Sequence, residues 1–235
     1  MAKNKMRLIM VAVLLVAIVG LATAGDVARF VNLGFSPDSG VFMFAQYGID
    51  HPDGKPFAEI YTVDVPGNAF VSGGVRTKVF DRTISSGQDG SGALYTLLPE
   101  LNSIVAQHRI DHLDQGRLVY LLVNGEDEPI RPRIEFRDFR TDTRFTIEVA
   151  QQSRGRGLSG SAEFYLDVTV RYPDGTVVER RVGRPGFYRD GVNRYRVGRV
   201  IVAPDSRSLV VVMERITDIS GGKRIRYMVE TVRLR

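Results

Sequence analysis

Hydrophobic and polar residues alternate with a period of two along most of this chain, and that pattern predicts β-strands. In the segment 58–65 (AEIYTVDV), Ala58 and Ile60 lie on one predicted face while Tyr61 and Val63 lie on the other. The segment 41–45 (VFMFA) is a nearly continuous apolar strand. Further predicted strands cover residues 75–80, 117–123, 144–150, 164–172, 176–182, 195–202, 208–214 and 226–234.

One region has a helical period instead. Leu94, Leu97, Leu101 and Ile104 follow helical spacing, Ser91 is the predicted N-cap, and the region ends at Gly116. A proline at position 99 interrupts the pattern, so a kink or two short helices are expected. The predicted fold is therefore mainly β, with antiparallel meanders and one kinked helical segment, and a β-sandwich is the alternative architecture.

A Pro-Asp-Ser turn occurs near both ends of the chain. The segments 35–39 (FSPDS) and 202–206 (VAPDS) each precede an apolar strand, a loop and an alternating strand. This order and size match one blade of a β-propeller. The sequence thus predicts meanders that are blade-like at both ends.

The first 24 residues have the organisation of an export signal. A basic start precedes an apolar run over residues 8–22, and Ala22 and Ala24 have the small-x-small spacing that signal peptidase requires, so cleavage is expected before Gly25. An uncleaved anchor is the alternative, since a span takes about 20 apolar residues. We expect an exported mature chain, periplasmic or secreted, that meets a membrane only through its signal before cleavage.

Residues 25–235 are expected to form a single secreted β-rich domain. The chain has no cysteine, which excludes a disulfide framework, thiol nucleophiles and thiolate metal sites. The charge changes sign along this domain: residues 25–130 hold 7 basic and 14 acidic residues, whereas residues 131–235 hold 22 and 13. The change falls near residues 124–130, which is a possible sub-boundary.

The basic half contains an arginine-rich stretch that suits an anionic partner. Arginine binds carboxylate or phosphate with two parallel hydrogen bonds, and neighbouring aromatic rings offer stacking faces. The expected ligand-binding residues are Arg184, Tyr188, Arg189, Arg194 and Arg196. On a strand, Arg194 and Arg196 share one face. The alternative is a structural role, in which internal salt bridges with the acidic half occupy these arginines.

Enzymatic motifs are weak. His108 and His112 have i,i+4 spacing on the predicted helix, but no third ligand is evident, so no metal is expected and no cofactor is implied. Ser36-x-Asp38-x-Gly40 is similar to the Asp-box turn of sialidase-type glycosidases, and a β-turn explains it equally well. No pair of carboxylates can be assigned as acid and nucleophile, so no catalytic residue is predicted.

Two family resemblances follow from these segments. The segments 35–44 and 58–64 resemble the repeat of periplasmic TolB-type β-propellers, which implies a blade and no particular chemistry. The mature chain as a whole resembles bacterial predicted secreted proteins grouped as domain of unknown function 2259. The export signal, the segment 30–36 (FVNLGFS), the strand 42–47 and the segment 58–61 carry that resemblance, which implies export and no assigned activity.

The sequence therefore predicts a non-catalytic binding or interaction module of the periplasm or envelope. Its Arg-rich face is expected to meet an envelope protein or an anionic cell-wall or lipid component, and export argues against nucleic acid. An envelope glycan hydrolase is the alternative function.

Overall fold

A computed structural model describes residues 25–50, 53–85, 87–123, 130–220 and 222–234. The predicted export signal and most of the possible boundary near 124–130 lie outside these ranges. The described residues form a mainly β structure with one short helical region, as the sequence predicts.

Three sheets contain all the named strands. The N-terminal sheet has the order β2-β3-β4-β5 and comprises Arg29–Phe35, Val41–Asp50, Lys55–Asp64 and Ala69–Val79. The central sheet has the order β1-β14-β13-β12-β6 and comprises Asp26–Val27, Gly222–Arg233, Ser208–Ile219, Arg194–Val202 and Arg117–Leu121. The outer sheet has the order β10-β9-β8-β7, with β11 also on β9, and comprises Val177–Gly183, Ser161–Arg171, Thr143–Arg154, Arg133–Asp138 and Arg189–Asp190. Among these described strands, only β1, beside β14, pairs in parallel.

The central sheet is buried on both faces. Leu209 and Val211 of β13 pack against the outer sheet, whereas Val210 and Val212 pack against the N-terminal sheet. Because side chains alternate across a strand, β13 needs apolar residues at successive positions rather than at every second one. The molecule is therefore a stack in which the central sheet separates two hydrophobic cores.

The helical region covers the remaining face of the N-terminal sheet. Helix α1 (Ser91–Leu97), a 3₁₀ turn (Leu98–Leu101) and helix α2 (Asn102–His108) follow one another, so the predicted break at the proline is confirmed. Leu94 and Leu97 pack against Ile60 in a third core. This arrangement confirms that Ala58 and Ile60 share the face opposite Tyr61 and Val63.

The start of this helix differs from the prediction by one residue. Ser91 is the first helical residue and Gly90 precedes it without a side-chain cap. The carboxylate of Asp89 accepts hydrogen bonds from the amide (3.1 Å) and hydroxyl (2.6 Å) of Ser91 instead. A Cβ at position 90 would lie 2.5 Å from the carbonyl oxygen of Gly48, so the close approach of the helix to β3 requires glycine here.

The hydrophobic pattern predicts only part of one strand and does not predict another. Strand β5 runs from Ala69 to Val79, although its residues are mostly exposed and include two consecutive glycines. Strand β7 (Arg133–Asp138) was not predicted, because only Ile134 and Phe136 of it face the core. Both strands form sheet edges, where pairing with one neighbour supports the backbone without a continuous apolar face.

The two Pro-Asp-Ser turns have matching backbone geometry. The amide of Ser39 donates to the carbonyl of Ser36 (2.8 Å), and the amide of Ser206 donates to the carbonyl of Ala203 (2.9 Å). Both serines have positive φ, at 57° and 58°. The turns also touch, since the amide of Asp205 donates to the hydroxyl of Ser39 (3.1 Å). The resemblance to TolB-type propeller blades goes beyond this local likeness and stays a prediction.

Within the described ranges, none of the helices combines the length and the apolar character that crossing a membrane requires.

Candidate functional site: a cleft lined by arginine and aromatic residues

A cleft of about 600 Å³ lies along strand β14, where all three sheets contribute to its walls. Strand β1 pairs with β14 over only two residues, so the rest of this edge has no neighbouring strand among the described residues. Two backbone amides of β14 donate to side chains instead. Gln46 Oε1, on β3, accepts from Tyr227 N (2.7 Å), and Asn68 Oδ1, in the turn before β5, accepts from Thr231 N (2.8 Å). The cleft thus lies where this edge of the central sheet, without a neighbouring strand among the described residues, is flanked by the N-terminal and outer sheets.

Three arginines line the cleft, namely Arg184, Arg189 and Arg215. Nη1 of Arg189 and Nε of Arg215 are buried and have no hydrogen-bond partner among the described residues. The guanidinium of Arg189 lies 5.0 Å from the ring centroid of Phe187. Buried polar groups in folded proteins nearly always have a partner. Two guanidinium N–H groups at the cleft therefore lack the partner that a buried donor normally has.

A buried carboxyl group faces these arginines. Glu230 is only 4% exposed and accepts a hydrogen bond from Asn68 Nδ2 (2.5 Å). Burial raises the pKa of Glu230, while the Asn68 hydrogen bond and the charges of Arg189 and Arg184 lower it by less. Glu230 therefore takes up a proton more readily than an exposed glutamate does, and it is one carboxyl group against three arginines in the lining.

Aromatic rings form another part of the cleft lining. The ring of Tyr61 stacks on Phe70 at 5.4 Å and on Phe44 at 5.0 Å. The hydroxyl of Tyr61 donates to Glu59 Oε2 (2.7 Å), and burial, followed by the charge of Glu59, raises the pKa of Tyr61. Phe70 and Phe187 are 59% and 50% exposed. The cleft therefore presents flat apolar surfaces to solvent beside its positive charges.

The five sequence-predicted residues do not come together. Arg184 and Arg189 line the cleft. Tyr188 lies apart from the lining residues, where its hydroxyl donates to Gln152 Oε1 (3.1 Å) and its ring stacks under the guanidinium of Arg154 at 3.7 Å. The adjacent residues Tyr188 and Arg189 thus have side chains in different surroundings.

Arg194 and Arg196 form ion pairs within strands β12 and β13. Arg194 binds both oxygens of Asp218, at 3.0 and 2.8 Å. Arg196 makes two hydrogen bonds to Glu214 Oε2, at 2.8 and 2.5 Å, and both side chains of this pair are buried. The two arginines share a face, as predicted, but their guanidinium groups are engaged by carboxylates of the same sheet.

Part of the opposite charge of the two halves of the chain meets in one mixed cluster. Arg224 and Arg226 of β14 both bind Asp26, at 2.8 and 2.7 Å, and both reach Asp50 at 3.2 and 3.4 Å. Burial of Asp26 would raise its pKa, but Arg226 and Arg224 more than offset that effect and the pKa is lowered. The acidic and basic halves thus pair directly at this cluster.

Several cleft residues were not predicted from the sequence, chiefly Arg215, Glu230, Asn68 and Phe70. A charge inside an apolar strand is the signal that could have identified two of them, and no sequence signal marks Asn68 or Phe70. Arg215 follows the run 209–213 (LVVVM) closely, and Glu230 interrupts the otherwise uncharged segment 227–232 (YMVETV). Such positions are costly unless the charge has a partner or a function.

The two histidines do not form the expected i,i+4 pair on a helix. Helix α2 ends at His108, and Arg109 takes a left-handed conformation with φ of 51°. His112 Nδ1 lies 2.6 Å from the carbonyl oxygen of Leu33. Across the described ranges, no group of three or more acidic or histidine side chains is placed to hold a metal ion.

Comparison with known proteins gives a family and no activity. No curated protein matches the chain. The family model described as "Predicted secreted protein (DUF2259)" matches residues 43–233, which include every wall of the cleft. Since the match covers most of its length, the chain belongs to this family of predicted secreted proteins.

Proposed function

We propose that this predicted secreted protein is a non-catalytic binding module of the bacterial envelope, and that the cleft along β14 captures an anionic ligand with a flat apolar portion. The observation that supports this most directly is the pair of unpartnered guanidinium nitrogens, Arg189 Nη1 and Arg215 Nε, within one cleft. Leaving a buried charged donor without a partner costs free energy, about 1–3 kcal/mol or more. A ligand oxyanion would remove that cost.

The aromatic wall defines the second part of the ligand. Phe70 and Phe187 expose much of their rings at the cleft, and the partly buried ring of Tyr61 stacks on Phe70. A flat group such as an aromatic ring or the apolar face of a sugar would cover these surfaces. The volume of about 600 Å³ falls in the range of small-ligand sites.

The hydrolase alternative has less support from the cleft. Glycosidases of the usual type need two carboxylates on either side of the scissile bond. Among the described residues that line this cleft, Glu230 is the only acidic one. One carboxyl group cannot act as both the acid and the nucleophile, whereas three arginines around it are suited to binding an anion.

The proposal can be tested with 8-anilinonaphthalene-1-sulfonate, a fluorescent probe with an aromatic body and one sulfonate. Its dissociation constant would be measured by fluorescence titration on the chain that begins at Gly25, which contains all described strands. Arg189→Gln and Arg215→Gln should each weaken binding about tenfold, since each removes a charge-assisted hydrogen bond. Glu230→Gln should tighten binding, because it removes the opposing carboxylate.

Arg207→Gln is the matched control, since Arg207 is exposed and lies on a turn outside the cleft. It should leave the affinity unchanged. Opposite effects of Arg215→Gln and Glu230→Gln also separate specific binding from loosening of the fold, which would increase dye binding in every variant. Equal affinity of Arg189→Gln, Arg215→Gln and the parent chain, or no binding of the probe at all, would contradict the proposal.

A further inference from the structure

A row of arginines crosses the exposed face of the outer sheet at one end. The strand register places Arg137 of β7 opposite Arg144 of β8, and Arg144 opposite Arg171 of β9. All three residues are exposed. Directly opposed residues in antiparallel strands have Cβ atoms about 5 Å apart. The sheet therefore holds three positive charges side by side.

Like charges in directly opposed positions destabilise a sheet. Elsewhere on the same face this repulsion is avoided, because Arg133 pairs with Glu148 (3.0 Å) and Arg181 with Asp167 (2.6 Å). Within the arginine row, Arg137 pairs with Asp142. Arg144 and Arg171 have no ion pair among the described residues, so the row keeps an uncompensated positive charge.

An exposed aromatic ring stands beside this row. Phe139 is 88% exposed at the tip of the β7–β8 hairpin, and Arg140 follows it. The tip is held in shape, since the buried carboxylate of Asp138 accepts hydrogen bonds from Arg140 N (3.0 Å) and Thr141 Oγ1 (2.8 Å) and pairs with Arg117. The ring is thus presented to solvent by a constrained turn.

We propose that this hairpin tip and the arginine row form a docking surface for a bilayer that contains anionic lipids, in contrast to the expectation that only the export signal meets a membrane. Arginines attract the phosphate groups of such a surface, and an aromatic ring enters the boundary between headgroups and acyl chains. The exposed Phe139 favours a bilayer over a soluble polyanion, because a polymer bound only by charge gives no reason for an apolar tip. The surface is separate from the cleft and does not depend on its ligand.

The test is cosedimentation of the chain beginning at Gly25 with phosphatidylcholine vesicles that contain or lack phosphatidylglycerol. Binding is expected only with the anionic lipid. The double variant Arg144→Gln/Arg171→Gln should reduce the partition coefficient about tenfold or more, since each arginine near an anionic surface contributes to binding. Phe139→Ser should also reduce it and should make the remaining binding more sensitive to salt.

Matched controls are available elsewhere on the chain. Arg154→Gln/Arg156→Gln also removes two arginine charges, but at the opposite end of the outer sheet. Leu113→Ser replaces another highly exposed apolar residue. Both variants should bind vesicles as the parent does. The Arg144→Gln/Arg171→Gln variant should also unfold at a higher urea concentration than the parent, because its repulsion is relieved.

Three results would overturn the proposal. They are equal binding to both kinds of vesicle, no effect of Phe139→Ser on vesicle binding, or a loss of vesicle binding in Arg154→Gln/Arg156→Gln as large as that in Arg144→Gln/Arg171→Gln. Polygalacturonate, a soluble polyanion, provides a further arm. If the protein binds this polymer but not the vesicles, and if Arg144→Gln/Arg171→Gln abolishes the polymer binding, the row would be assigned to an anionic polymer instead.

Discussion

Arginines close together in this sequence have different roles because their partners differ. Arg189 has a buried nitrogen without a partner among the described residues, whereas Arg196, seven residues later, is held by Glu214 in a buried ion pair. Arg194 forms a more exposed pair with Asp218. The residue type indicates a capacity to bind anions. Which anion it binds depends on the carboxylates that folding brings within reach.

The first prediction concerns these two ion pairs. Arg196→Ala should lower the free energy of unfolding by about 3 kcal/mol, because it leaves the charge of Glu214 buried without a partner. Arg194→Ala should cost less than about 1 kcal/mol, since solvent screens the partly exposed pair. Urea unfolding of both variants measures the difference. The double variant Arg196→Met/Glu214→Leu is the control and should recover most of the lost free energy of unfolding. Similar losses in Arg196→Ala and Arg194→Ala would show that burial does not distinguish the two pairs.

At the scale of elements, one kind of turn recurs in all three sheets. Besides the turns at Ser39 and Ser206, the outer sheet has a Pro-Asp-Gly turn, in which the amide of Gly175 donates to the carbonyl of Tyr172 (3.0 Å) and Gly175 has a φ of 86°. In each case the residue after Pro-Asp takes a left-handed conformation. Of these three turns, the one in the outer sheet has glycine there, the residue for which that conformation carries no steric penalty.

The second prediction follows from this difference. Gly175→Ala should destabilise the protein by about 1 kcal/mol, through backbone conformation alone, because no described atom lies within 4 Å of the added Cβ. Ser206→Gly should stabilise it by about 0.5 kcal/mol by removing the same strain. Ser39→Gly should gain less, since it also loses the hydrogen bond from Asp205 N. Thermal or urea unfolding gives all three values, and equal gains at the two serines would show that this hydrogen bond contributes nothing.

At the scale of the whole molecule, the central sheet joins the two large cores. Val211 and Val212 are adjacent on β13 and fully buried, yet they belong to different clusters. A strand that lies between two cores cannot lose one of them without exposing one of its own faces. This arrangement favours unfolding as a unit, and the single β-rich domain expected from the sequence stays a prediction.

The third prediction tests this coupling. Val211→Ala and Val212→Ala should each cost about 2 kcal/mol, and both should shift one common urea transition observed by circular dichroism. Val177→Ala, on the exposed part of strand β10, should change the midpoint little and serves as the control. Two separate transitions, each moved by only one of the two core substitutions, would show instead that the cores unfold independently.

The local patterns of the chain were sufficient for most strands, for the break at Pro99 and for the tight turns. These features depend on neighbouring residues: alternation sets which side chains share a face, and proline and glycine set the backbone angles. Alternation over residues 58–65 correctly separated Ala58 and Ile60 from Tyr61 and Val63. The exposed strands β5 and β7 were predicted poorly because pairing with a neighbour, rather than an apolar face, supports them.

The stacking of the sheets and the make-up of the cleft were decided only in three dimensions. Tyr61, Arg189 and Glu230 meet in the cleft although more than 160 residues separate the first from the last. Of the arginine-rich stretch, Arg184 and Arg189 reach the cleft, whereas Arg194 and Arg196 turn to carboxylates on β13. A local pattern specifies the face on which a side chain lies, but its electrostatic partner comes from distant strands, and only the assembled stack determines which strands those are.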